Sequence, residues 1–281
     1  MILSGIFHKE TYGAYLKARQ SVLCPGGAWR TIHPETVQRI DLEVLKGILD
    51  RQGYAHFQMG ESLDDNNIMD IAGRLGPLLA ELPEELVSYV RHGIILEVKE
   101  HFIKAPGIDM QPFSREAVLV HTENSRSPIE DQPKYIIFQC LAAGKFDSPT
   151  LLFPMEQIAG NISQEDKEIL KHLKYRNFPE APPFYRKENG NSVFSFRDFG
   201  DVPLEWIYKG NEFSAERINE AVENLMHTIY QTMPYEIKWT SSSIFVFDNT
   251  RFFHAKPENL QNGDSLDRHL DRIRIGMGPL I

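Results

Sequence analysis

A mainly β fold with flanking helices is the architecture this sequence predicts, and three observations point to it. Apolar residues recur at helical spacing chiefly in the first part of the chain, over about 1–92. Strand-like runs then fall in two groups, one mid-chain and one near the end, within about 93–281. Helices and strands do not alternate, and no glycine-rich phosphate loop follows a strand, so a doubly wound parallel sheet is disfavoured. Strands that far apart in sequence fit an antiparallel barrel or sandwich carrying a helical layer. We read 1–281 as a single domain, with 144–149 and 179–190 as insertions within it.

The elements follow in order. A helix is expected over 34–51, where Val37, Ile40, Val44, Leu45 and Ile48 fall near helical period and Gly53 supplies a stop. A strand follows over 54–59, then shorter helices over 66–75 and 83–90. Strands are expected at 94–99, 115–122, 135–142 and 150–153. Ser163, with Asp166 three residues on, caps another helix. After a strand at 193–197 comes an amphipathic helix over 214–233, with Ile218, Ala221, Val222, Leu225 and Ile229 on one face. The chain closes with strands at 236–240, 244–247, 250–255 and 272–276, and Asp248-Asn249 is a tight-turn pair between two of them.

Bulk properties exclude several classes. The 281 residues are 42% hydrophobic and 25% charged, enough to build a sizeable core. A formal net charge of −9 argues against nucleic acid as a partner, because phosphate binding needs a basic surface. Cys24 and Cys140 form no C-x-x-C arrangement, so a disulfide scaffold or thiolate zinc site is disfavoured and a reducing cytoplasm is expected. No apolar run approaches the roughly 18 residues of a membrane span, and a soluble, unprocessed chain is expected.

Chemistry concentrates in three places. In Val118-Leu-Val-His121-Thr-Glu123, strand alternation would turn His121 and Glu123 to one face. Alone, an H-x-E is better explained as a His and a Glu on a half-solvated strand. A third ligand comes from Ile244-Phe-Val-Phe-Asp248-Asn249-Thr-Arg-Phe-Phe-His254, and two histidines with one carboxylate make a facial triad that leaves positions open on iron(II). Third, Arg268, Arg272 and Arg274 share one strand phase while Ile273 and Ile275 take the other. Arginines on an inward face need carboxylates to meet, and a guanidinium grips one through two hydrogen bonds. The other histidines fit no ligand pattern, and Phe245, Phe247, Phe252 and Phe253 read as barrel core.

Together these motifs resemble the iron(II)/2-oxoglutarate oxygenases, in the clavaminate-synthase-like branch related to taurine dioxygenase, which includes β-hydroxylases of free arginine and asparagine. The resemblance rests on His121-Thr122-Glu123, on Asp248-Asn249 through His254-Ala255, and on Arg268, fourteen residues past His254. Arg272 matches a further family arginine, and Glu123, in place of the aspartate usual in taurine-dioxygenase-like enzymes, favours this branch.

The resemblance implies a double-stranded β-helix, a jelly-roll or cupin-like barrel, with iron(II) on His121, Glu123 and His254. It implies 2-oxoglutarate as co-substrate, its distal carboxylate held by Arg268 with help from Thr150, and O2 as oxidant. The primary substrate would be a small polar molecule, a free amino acid or a derivative, hydroxylated at an unactivated C–H bond. Arg272 would pair with a substrate carboxylate or brace the site. Asp198 and Asp201 would receive a substrate amine or guanidinium, or serve only as turn acids. Desaturation, cyclisation or epoxidation would use the same cofactors. A zinc hydrolase or a non-catalytic barrel binding module are the other classes to weigh.

Overall fold

The computed structural model describes residues 2–8, 13–81, 83–100, 104–144, 149–259 and 268–278. Successive side chains of a strand point to opposite faces, and that alternation builds two facing sheets. The larger is ordered Glu35–Thr36, Tyr54–Gln58, Ser243–Asp248, Tyr135–Ala142, His269–Ile275, Ile95–Lys99, Val90–Arg91, with Leu78–Leu79 also paired to His269–Ile275. The smaller is ordered Arg30–Ile32, Tyr235–Ile237, Thr150–Pro154, Phe252–Lys256, Val118–His121.

Their inner faces meet in one apolar core. Ile136, Phe138, Phe245, Phe247 and Leu270 come from the larger sheet and Leu152, Ile237 and Phe252 from the smaller. The alternate residues Ile137, Ile244, Val246, Ile273 and Ile275 face outward onto the helices Leu42–Gln52 and Asp65–Leu75. On the far side Leu151, Phe153, Phe253 and Ala255 pack against Ile218, Val222, Leu225 and Ile229 of the helix Ala215–Gln231. The helices expected outside the barrel are therefore outside it, on opposite sheets. A third sheet, Ile2–Phe7 with Leu204–Lys209 and Leu173–Tyr175, closes over the helical side.

Several elements differ from expectation for identifiable reasons. The first long helix starts at Leu42, not at 34, because Asp41 caps it by accepting from the Glu43 and Val44 amides. Glu35–Thr36 instead pairs in parallel with Phe57 and Gln58. The segment expected as a helix over 83–90 is a short 3-10 turn, Glu84–Tyr89, running into the strand Val90–Arg91. The helix-rich beginning also supplies strands: Tyr54–Gln58 pairs with Ser243–Asp248, and Arg30–Ile32 with Tyr235–Ile237. The helix Ala14–Leu23 and the strands Ile2–Phe7 and Leu204–Lys209 had no counterpart in the sequence reading. Among the described residues, no helix is long and apolar enough to cross a membrane. Residues 145–148, inside one expected insertion, and Asp267, beside Arg268, lie outside the described residues.

Candidate metal centre and adjoining pocket

His121 ends the strand Val118–His121, and His254 is its direct cross-strand partner in Phe252–Lys256. A bulge separates this pair from Lys256 and Val118, so the strand is locally re-aimed and both Val118 and His121 line one cavity. The two imidazoles lie with ring centroids 3.9 Å apart. Glu123 sits beyond the strand end, so strand alternation is not what orients it. Asn249 does that: its Oδ1 accepts from the Glu123 amide at 2.8 Å, and its Nδ2 donates to Pro133 O at 3.0 Å. Asn124, at φ 55°, turns the chain immediately afterwards, a conformation asparagine tolerates better than most residues.

The donor atoms fit a metal ion. Nε2 of His121 and Nε2 of His254 each lie 3.7 Å from Glu123 Oε2. Cis ligands about 2.1 Å from an ion stand ~3 Å apart, so small side-chain adjustments suffice. His121 Nδ1 lies 2.8 Å from Leu119 O and so carries the hydrogen, leaving the Nε2 lone pair free. Glu123 Oε1 is occupied by Arg272 at 2.8 Å, which leaves Oε2 for the centre. Nδ1 of His254 is enclosed without a protein partner among the described residues, and packing against Phe247 sets that ring.

Protonation states are suited to ligation, which requires neutral imidazole and ionised carboxylate. Burial, then the nearby Arg197 charge, lowers His121. Burial and the neighbouring His121 push His254 well below the ordinary histidine range. Burial alone would raise the Glu123 carboxyl. Arg272, with His121 and Arg274, outweighs it and holds Glu123 well below the usual carboxylate range.

The inward arginines find the carboxylates they need. Arg272 joins Glu123 to Glu81, with NH2 2.8 Å from Glu81 Oε1, and Arg274 Nε lies 3.0 Å from the same oxygen. Arg274 also donates to Asn124 Oδ1 at 2.9 Å. Further along the same strand face, Arg268 lies 2.9 Å from Glu100 Oε1, and Lys256 Nζ is 3.2 Å from that oxygen. Arg268, Lys256, Thr150, His121 and His254 line a single cavity.

Asp198 and Asp201 lie elsewhere. Asp198 is buried, but its carboxylate accepts from Tyr230 Oη at 2.7 Å and pairs with Arg19 at 3.4 Å, both from the helical layer. Asp201 is exposed on a surface hollow beyond the sheet. The structure thus brings His121, Glu123, His254, Arg268, Thr150 and Arg272 together and leaves these two acids out. Sequence reasoning missed Glu81, Asn249's bracing role, Lys256 and Arg197. Two carried a signal: Asn249 as half of the Asp248-Asn249 turn pair, and Lys256, which two residues past His254 repeats that residue's strand face.

No protein-family model matches the sequence, and no curated protein matches it. Solved structures do resemble it. Asparagine oxygenase, in complex with Fe(II), 2S,3S-3-hydroxyasparagine and succinate, superposes with a TM-score of 0.63 at 16% identity, over 84% of this chain and 78% of that one. The PvcB protein from Pseudomonas aeruginosa gives 0.63 at 14% identity, over 98% of this chain and 91% of that one. A taurine dioxygenase from Burkholderia xenovorans gives 0.61 at 16% identity, over 89% and 87%. The fold is therefore the double-stranded β-helix of these oxygenases, as the motifs implied. At such identities the similarity is one of fold.

Proposed function

We propose that this chain is an iron(II)/2-oxoglutarate-dependent oxygenase acting on a small polar substrate, a free amino acid or a derivative of one, by hydroxylation. One observation carries this reading above the others. The ligand atoms of His121, His254 and Glu123 cluster together, and the two histidines line a cavity whose other residues include the buried cations Arg268 and Lys256. A 2-oxo dicarboxylate needs both ends: a metal to chelate and a cation to grip. Asparagine oxygenase, with its bound hydroxyasparagine and succinate, supports the amino-acid reading. A second solved structure of PvcB describes it as an Fe, alpha-ketoglutarate dependent oxygenase.

Held at this site, iron(II) and 2-oxoglutarate would supply the oxidising power for O2 to hydroxylate an unactivated C–H bond, with succinate and CO2 as the co-products. The chain's own residues do the rest. His121 and His254 offer neutral nitrogens, and Glu123 offers a charge that Arg272 keeps ionised and aimed. Arg268 would grip the distal carboxylate through its planar fork, Lys256 would add a point charge beside it, and Thr150, which lines the same cavity, would donate a hydroxyl. The enclosing apolar residues exclude water, which strengthens each of these contacts. The reading of 1–281 as one domain is supported by strands near the beginning that are hydrogen-bonded into both sheets. Unpaired Cys24 and Cys140 suit a reducing cytoplasm.

The test is succinate release from 2-oxoglutarate under air, with protein loaded with iron(II) or zinc(II), across a panel of free amino acids. Succinate with iron only, stimulated by some panel member, is the expected result. Hydrolysis supported by zinc, or no binding of 2-oxoglutarate to the iron form, would sink the reading.

A further inference from the structure

We infer that Arg197 is the anchor for an oxyanion, a carboxylate in the first instance, on the primary substrate. The inference rests on the oxygenase reading above and adds to it the substrate's charge and the residue that selects it.

Backbone register places Arg197 beside the metal ligands. Leu152 pairs with His254, His254 with His121, and His121 with Arg197, so four side chains form one row across the strands. The amides of Thr122 and Asp198 donate to Phe196 O and Val120 O on either side of the last pair. That makes His121 and Arg197 a non-hydrogen-bonded antiparallel pair, the closer of the two kinds, with Cα atoms ~4.5 Å apart and side chains on the same face. His121 thus has the second histidine ligand on one flank and a guanidinium on the other. The Arg197 amide donates to Tyr175 Oη at 2.9 Å, which fixes the backbone there. Its NH2 donates to Gln111 Oε1 at 2.7 Å, in the same short turn whose Pro112 lines the metal cavity.

The charges around the centre single this arginine out. Arg272 and Arg274 are matched by Glu123 and Glu81, and their remaining contacts go to Asn124 and Ala80 O. Arg272 is therefore committed to the metal-binding carboxylate and is not free to receive a substrate. Arg268 and Lys256, which line the same cavity as the two histidines, share Glu100. Arg197 has one neutral side-chain partner, its Nε is enclosed without a partner, and no carboxylate lies within 4 Å among the described residues. Glu123, already held by Arg272, acts on it only from a distance, and a largely buried cation with no carboxylate in contact costs stability. Beside a catalytic centre, a bound anion removes that cost each time the substrate arrives.

The test uses protein loaded with cobalt(II) and 2-oxoglutarate, whose visible absorption reports ligands near the metal without turnover. Acetate, propionate, methanesulfonate and a panel of free amino acids are titrated, each carboxylate alongside its carboxamide. Anions should perturb the spectrum and amides should not, and the sulfonate shows whether the anchor is restricted to carboxylates. Arg197→Gln should weaken the anions ~30-fold or more, the loss expected when a charged partner is removed. Arg197→Lys should recover only part. With the iron enzyme, the same variant should raise KM for the stimulating amino acid far more than for 2-oxoglutarate. Amides binding as well as carboxylates, undiminished anion binding in Arg197→Gln, or no anion response in the wild type would each overturn the assignment. Failure of 2-oxoglutarate itself to bind would instead overturn the oxygenase reading, and the anion titration on cobalt(II) protein alone would still decide Arg197.

Discussion

Single side chains in this site divide into those that would touch the metal or co-substrate and those that aim them. Arg272 belongs to the second group, since both of its terminal nitrogens are bonded to carboxylates, Glu123 and Glu81. Arg272→Met should therefore weaken iron binding about 10–100-fold, as loss of an outer partner of a metal ligand typically does. A metal titration followed by fluorescence would read this, and an unchanged metal affinity with only a raised substrate KM would contradict the bracing role. Arg268 should behave differently. Arg268→Ala should raise the dissociation constant of 2-oxoglutarate by ~30-fold or more, from the roughly 2–5 kcal/mol lost with a charged partner. Metal affinity should change little, and Arg268→Lys should recover part of the loss. Calorimetric titration of the zinc(II) form separates the two arginines without turnover. The H-x-E, the distal histidine and the arginine spacing were legible in the sequence because each is a short, local pattern. Glu81, Arg197 and the bracing role of Asn249 were not, because each acquires its meaning from a partner at least forty residues away.

At the scale of elements, legibility depended on whether one periodicity dominated. The helix Ala215–Gln231 was read nearly to its ends because its apolar face, the Ser214 cap and its length agree. The segment before Leu42 misled, since Val37 and Ile40 extend the helical spacing backward while the backbone there pairs with Phe57–Gln58. Asp41 decides the boundary, its Oδ1 accepting from Glu43 N at 2.9 Å and Val44 N at 3.2 Å. Asp41→Ala should cost ~1 kcal/mol, the usual worth of such a cap, and lower the urea midpoint without altering the slope. Asp41→Asn, which keeps the acceptor, should lose much less. Equal losses in the two variants would show that charge near the helix start, and not the cap bond, was responsible. The strands Ile2–Phe7 and Leu204–Lys209 escaped for a related reason. Each pairs with the other across about two hundred residues, and neither alternates cleanly enough to declare itself alone.

Across the whole molecule the inner face serves both as apolar core and as charged site, and His56 packs against the core. It stands on the strand Tyr54–Gln58, opposite Phe245, with its ring edge-on to that phenyl at a centroid distance of 5.6 Å. Its Nδ1 reaches Ile32 O at 3.3 Å, joining the two sheets through one imidazole. Burial is the leading cause that lowers its pKa from 6.5 to about 4, partly offset by the bond to Ile32. Because the folded value lies below the unfolded one, the unfolded chain binds this proton more readily. The stability from a neutral His56 is thus complete above about pH 6.5, declines as pH falls, and stops declining near pH 4. One proton corresponds to ~1.4 kcal/mol per pH unit, so the contribution lost between pH 7 and 4.5 is roughly 2–3 kcal/mol. Other groups titrate in the same window, so the informative quantity is a difference between two proteins. His56→Gln cannot take up the proton, and its urea-unfolding free energy should fall by about 2–3 kcal/mol less than that of the wild type over this range. If both proteins lose the same amount, the imidazole is already solvated or protonated in the folded state, and the link it makes between the sheets is not the acid-sensitive point of this fold.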